Sequence, residues 1–336
     1  MRITTNAILR NYKSNLGNSL ANLDSARNKV MTGRKFTKTV EDPSNALRAA
    51  VLGRKFARND DYLNLVKDVQ SFQDSQEDAA MQINNIAKQL SKQYGLEALN
   101  GTNGSQTTRE TYADAWRGAQ ESILLSLNAS YEGKYVFAGG DGLNAPFKLD
   151  KDANGKQVLT YRGVDVTNGD PKDLQKLADD SLFVDLGFGL NINDDGTIDS
   201  SSAFNTSLPG IKLVGYGTDD DGDPNNMIIL MGQIADELEK EDFDYEKYRE
   251  LLGKFDSKRD DVLEVVTTLG TQTEFLTTTK DRLENNEISL TTQIDNVVNI
   301  DMAEAIMNFS WAQYAYNASL KVGNNILTPS FIDFMS

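Results

Sequence analysis

Apolar residues recur at every seventh position near both ends of the chain, and the beat stops in the middle. Phe255, Val262, Leu269, Leu276, Leu283, Leu290 and Val297 form one such series, and Leu9, Leu16, Leu23 and Val30 form another. A seven-residue repeat keeps one stripe of a helix against a partner helix, so both ends predict long coiled-coil-like helices. At 1.5 Å per residue the first series alone spans about 63 Å. Residues 1–31 read as an amphipathic helix ending near Gly33, and Asp42-Pro43 suits the start of a second. From about 44 to 97 a 4-3 spacing runs through Leu65, Val69, Phe72, Gln76, Ala79, Ile83, Ile86 and Leu90, with Gln76 the single polar intruder. NGTNGS at 100–105 is a turn by composition. Tyr112, Trp116, Ala119, Ile123 and Leu127 mark a third helix over about 107–132.

Residues 140–224 are written differently. They hold twelve of the 25 glycines, four of the six prolines, sixteen aspartates and no glutamate. Asp and Gly favour turns and Glu favours helix, so this stretch predicts short strands joined by tight turns. KLDKDANGKQVLTYRG reads as a hairpin with Asn154-Gly155 at its tip, and LFVDLGFGLNINDDGTI as a further strand pair. The helical pattern resumes after Pro224. The expected fold is mainly α: an elongated helical-bundle rod built from the two terminal segments, with a small β-rich insert at its side or tip. The expected divisions are 1–40 with 286–336 as terminal coiled-coil helices, 41–138 with 225–285 as the helical rod, and 139–224 as the insert.

Charge and composition narrow the function. The 336 residues carry a net charge of −16, which disfavours nucleic acid as a partner. Residues 1–60 nevertheless hold twelve Lys/Arg against four Asp/Glu, while 283–336 hold one basic residue against six acidic. Opposite charge on the two ends suits their mutual pairing, within a subunit or between neighbours. There is no cysteine and no histidine, which removes disulfides, thiolate metal sites and the usual general base. No run approaches the roughly 18 apolar residues of a membrane span, and the N-terminus lacks the apolar core of a signal peptide. Fifty acidic residues supply carboxylate pairs by chance, and no phosphate-binding loop is present. The expectation is a non-enzyme without cofactor.

MRITTNAILRNYKSNL, LDSARNKVMTGRKFTKTVEDPSNALRA and NIDMAEAIMNFSWAQYAYNASLKVGNNILTPSFIDFM resemble the two ends of the flagellin superfamily. GKYVFAGG at 133–140 is similar to the helix-to-β junction of its hook-associated members, and places Gly133, Tyr135, Phe137, Ala138 and Gly139 as a family junction motif. The resemblance covers roughly 1–140 and 225–336. It implies a structural axial component of the bacterial flagellum that joins hook to filament and templates flagellin assembly. It would be extracellular, exported through the flagellar channel without a cleaved signal peptide. The implied partners are further copies in a ring, the neighbouring hook-associated protein, flagellin, and an export chaperone on the C-terminal helix, with no membrane or nucleic acid. A minor filament flagellin and, in another class, a surface adhesin with the insert as its head stay open as alternatives.

On that reading the terminal stripes form the assembly interface: Leu9, Leu16, Leu23, Val30, Met302, Phe309, Tyr316 and Leu320. A companion row, Ala305, Ala312, Ser319 and Ile326, lets helix backbones approach closely. The competing reading of the same stripes is a coiled coil within one chain. Arg34, Lys35 and Lys38 form a basic loop with two readings, a simple solvated loop or, the one favoured, a contact for acidic groups of a neighbouring subunit. Gly33 is expected to supply a left-handed helix end, and Trp116 and Trp311 are expected to be packing residues. Asp150-Asp152-Asn154-Gly155 and Asn191-Asn193-Asp195-Gly196 imitate calcium loops. Their twelfth positions are Tyr161 and Ser202 rather than Glu, so hairpin turns are the expectation, and TDDDGDP at 218–224 is expected to be a solvated loop.

Overall fold

The structure, a computed structural model of the chain, describes residues 2–98, 105–153, 155–194, 196–199, 202–219 and 222–327. The chain is mainly helical, with small antiparallel sheets confined to its middle segment. Helices α1 (Arg2–Thr32) and α2 (Pro43–Gln89) are followed by a π-helical turn at Leu90–Gly95 and a last turn at Leu96–Ala98. Next come α3 (Gln106–Leu127) and strands β1 (Ser130–Tyr131), β2 (Lys134–Tyr135), β3 (Phe147–Lys151), β4 (Gln157–Tyr161) and β5 (Val164–Asp165). Then follow α4 (Pro171–Ala178), β6 (Phe183–Val184), β7 (Phe204–Asn205), α5 (Gly210–Val214), α6 (Met227–Glu239), α7 (Tyr245–Val298) and α8 (Met302–Leu327). Two units result, one from residues 1–61 with 283–336 and one from 62–282.

In the larger unit the α7 heptads point inward: Phe255, Val262, Leu269 and Leu276 are all buried. On α2 the expected positions Val69, Gln76, Ala79, Ile83 and Leu90 are buried, and the row shifts by one residue only at alternate positions. Gln73 and Ala87 are buried while Phe72 and Ile86 are half-covered. Gln73 is tolerated there because its amide donates to Gln272 Oε1 at 2.8 Å. Trp116 of α3 is fully buried edge-on against Phe255, with centroids 4.9 Å apart. α6 is buried on almost every side, and Asn226 caps it by accepting from the backbone N–H of Ile228 and Ile229.

The middle segment departs from the sequence reading in three ways. α3 stops at Leu127 rather than near 132, because residues 130–135 pair as a hairpin, Ser130 opposite Tyr135. The 147–161 hairpin forms in the expected place, Phe147 opposite Tyr161 and Lys151 opposite Gln157. The second expected strand pair is rearranged, since β6 pairs with β7 twenty residues on and only an isolated bridge joins Ile192 to Ile198. PKDLQKLA forms a helix, α4, capped by Asp170, which accepts from Lys172 N–H, with Pro171 at the first position. That capping signal was present in a segment whose composition argued for strands. The predicted turn at 100–105 falls almost wholly outside the described residues.

Candidate assembly interface

Seen from the residues upward, the terminal stripes are already partly used within the chain. α1 ends on Gly33, whose φ of +68° provides the left-handed cap while its N–H reaches Lys29 O at 2.9 Å. Gly33 O then accepts from Ile300 N–H, and Lys35 N–H donates to Val298 O at 2.8 Å. At the other end a Cβ on Gly323 would collide with the Tyr12 hydroxyl. These two fixed points make α1 and α8 antiparallel.

Carrying the Tyr12–Gly323 register along both helices sets Leu16 level with Ser319, Ser19 with Tyr316 and Leu23 with Ala312. Ala26 then lies level with Phe309, and Val30 with Ala305. Each level pairs a large side chain with a small one, which suits a close approach of the backbones. Leu9, Leu16, Leu23, Val30, Phe309 and Tyr316 are accordingly half-buried, whereas Met302 and Leu320 are exposed. The companion-row side chain at Ile326 lies outside the described residues.

Two helices cannot cover each other all round. α8 is apolar on its outer face as well, and Ile306, Met307, Trp311, Tyr314 and Val322 stand exposed, Trp311 at 66% and Tyr314 at 70%. Trp311 is therefore not a packing residue of the folded chain; the seam passes through Phe309, Ala312 and Tyr316 and leaves the indole on the opposite side. The heptad reading missed this second face because it followed one stripe of a helix that carries two.

The basic loop is partly tied down. Lys35 Nζ donates to Asn296 O at 2.5 Å, while the side chains of Arg34 and Lys38 are exposed. Next to it Glu41 accepts from Thr37 N–H at 2.8 Å, and Asp42 caps α2 by accepting from Asn45 N–H at 3.0 Å. The Thr37 and Asn45 amides hold these two carboxyls below their ordinary range.

The junction motif is a packing node. Phe137 and Ala138 are fully buried, Tyr135 is half-buried, and Gly133 and Gly139 take φ of +78° and +70°. Phe137 O accepts from both Tyr161 OH (2.9 Å) and Gly210 N–H (2.8 Å). Buried Gln76 donates to Val136 O at 2.7 Å, which explains the polar intruder in the α2 repeat. Asp180 closes the exit, accepting from Gly140 N–H at 2.9 Å and Arg162 Nη1 at 2.7 Å.

The Asp-rich loops share one construction. Asp152, Asn193 and Asp219 each accept from the N–H of a glycine three residues on (Gly155, Gly196, Gly222) and donate to the carbonyl one further. All three glycines have φ near +80°. The Asp152 and Asp219 carboxylates also accept the N–H of Lys156 and Asp223, both at 2.8 Å. Carboxylates spent on their own turns are hairpin chemistry, although Asn154, Asp195 and Asp220-Asp221 lie outside the described residues. Lys254 of α7 further anchors the third loop, with Nζ 2.6 Å from Asp223 and 2.9 Å from Asp219. No group of three acidic residues among those described could hold a metal ion. No helix, among the described residues, is long and apolar enough to cross a membrane.

Comparison with known proteins first gives the class. Residues 3–141 match the bacterial flagellin N-terminal helical region, so the chain carries a flagellin-type helical start. The particular likeness is to a hook-associated protein. Over 329 residues the chain is 25% identical to flagellar hook-associated protein 3 of Salmonella typhimurium, covering 96% of this chain and 95% of that one. The fold is shared with a putative flagellar hook-associated protein of Vibrio parahaemolyticus, at a TM-score of 0.59 and 16% identity over 77% of this chain and 100% of that one. It is shared also with Bacillus cereus FlgL, at a TM-score of 0.50 and 15% identity over 73% of this chain and 99% of that one.

Proposed function

We propose that this chain is a structural axial protein of the bacterial flagellum that joins hook to filament and gives flagellin a surface on which to begin assembly. The observation that carries the reading is the near full-length similarity to a hook-associated protein, together with two paired terminal helices whose outer α8 face is apolar and uncovered. A junction protein works by shape: its ends pack into a shared inner wall, and its body presents one surface below and another above. On this reading residues 1–40 and 286–336 are the assembly helices, with Leu9, Leu16, Leu23, Val30, Met302, Phe309, Tyr316 and Leu320 as their contacts. Residues 41–138 and 225–285 are the stem and 139–224 the outer insert. Arg34, Lys35 and Lys38 approach acidic groups of the next subunit.

The partners are further copies, a second hook-associated protein and flagellin, with an export chaperone covering the C-terminal helix until secretion. The site of action is outside the cell, and the role is mechanical rather than enzymatic. Deleting the gene and restoring it with an epitope tag in the 193–202 loop tests the reading by electron microscopy. Bare hooks with flagellin shed into the medium, and label confined to the hook–filament boundary on restoration, are expected. Label along the whole filament would make the chain a flagellin, and normal filaments without the gene would overturn the junction role.

A further inference from the structure

Two helix faces within the smaller unit carry opposite charge beside exposed aliphatic residues, exposed throughout except at half-buried Glu284. On α2, Leu47, Val51, Arg54 and Arg58 follow one another at 4-3-4 spacing and are all exposed, Leu47 at 67%. On α7, Glu284, Ile288, Thr291 and Asp295 follow the same 4-3-4 spacing, with Ile288 also at 67% exposure and Asp295 exposed. Each set lies on one helix face, and each spans twelve residues, about 16 Å of rise over eleven steps.

Both stripes lie outside the seam their helices make within the chain. α2 turns Leu52 and Asn59 inward, with Asn59 Nδ2 donating to Leu283 O at 2.9 Å, and α7 turns Leu283 and Val297 inward. Among the described residues no ion pair joins one stripe to the other. The charges of these two stripes are therefore not paired with each other inside the chain.

We infer that the basic stripe of one copy (Leu47, Val51, Arg54, Arg58) docks on the acidic stripe of the next (Glu284, Ile288, Asp295). The occupant is a second copy because the two surfaces match in length and carry opposite charge, and in equal register Val51 meets Ile288 and Arg58 meets Asp295. Such a contact joins two different faces, so it propagates head to tail and closes into a ring where the rotation allows. The inference rests on the self-association in the proposed function, and names the pair of surfaces that sets its register.

The test uses the full-length chain with two double reversals, R54E/R58E and E284K/D295K, in sedimentation and cross-linking at low salt. Each alone is expected to weaken association at least tenfold. An equimolar mixture of the two, or a chain carrying all four changes, is expected to recover it. Association of the wild-type chain is expected to fall as salt rises. The chain has no native cysteine, so mixing V51C and I288C chains gives an independent readout that can form only between copies. Disulfide heterodimers in excess of homodimers are expected. Circular dichroism of each variant separates a folding defect from a docking defect. A wild-type chain that stays monomeric would overturn the self-association on which the inference rests. A wild-type chain that associates while reversals and cross-links show no preference would overturn the stripe pairing alone.

Discussion

Gly33 stands where α1 must stop and the chain must turn toward α7 and α8. Its φ of +68° is cheap for glycine and costs an L-residue about 1 kcal/mol or more. Gly33→Ala should lower stability by about 1 kcal/mol, read from the denaturant midpoint at unchanged slope. Asp74 illustrates charge at the same scale. Its pKa is raised, chiefly by partial desolvation and then by Glu77 and Asp78 one turn away. A raised carboxyl pKa means the folded state holds the proton more tightly than the unfolded chain. The ionised group therefore opposes folding above that pKa, and the penalty fades as pH falls through it. Asp74→Asn should stabilise at neutral pH by a few tenths of a kcal/mol, on the scale of like-charge helix pairs. In urea titrations the gain should shrink as pH falls through the raised value and be gone below the unfolded carboxylate pKa of about 3.9. Glu41 and Asp42 run the other way. Their contribution is present above the unfolded carboxylate pKa and is lost as pH falls through the lowered folded values.

Elements owe their boundaries to tertiary partners as much as to propensity. Phe137 lies in a three-way contact of hairpin, sheet and α5, fully buried and with its carbonyl doubly used. Phe137→Ala should cost about 3–5 kcal/mol, the usual range for an emptied aromatic site, and should be visible as a large drop in thermal midpoint. Trp311 of α8 is the contrasting case. At 66% exposure its replacement by Ser should move stability by less than about 0.5 kcal/mol, yet it should reduce incorporation into flagella. A strong loss of monomer stability in that variant would place the indole in the fold rather than in the interface. The sequence made helices legible wherever a heptad ran unbroken, as at Phe255 to Leu283. It was silent on α4, because eight residues are too few for periodicity to outvote composition, and on β6–β7, because two-residue strands leave no alternation to read.

For the whole molecule the decisive variant is Leu16→Asp. Leu16 lies level with Ser319 in the α1–α8 seam, so an unpaired carboxylate there is expected to separate the two helices while residues 62–282 keep their own core. The variant should retain most of its cooperative unfolding transition and fail to enter flagella, checked by calorimetry and by immunoblot of sheared filaments. What the sequence alone determined is the mainly helical class, the β-rich middle, the absence of histidine and cysteine chemistry, and the stripes at both ends. All of these follow from period, composition and residue type, which are local properties of the chain. What only the tertiary structure decided is where each stripe is spent. Tyr12 to Val30 face Ala305 to Gly323 within the chain, Gln76 reaches the Val136 carbonyl, and Trp311 is left outside. A repeat fixes which side of a helix is apolar, but a helix apolar on two sides has no way to say which side its own chain will cover.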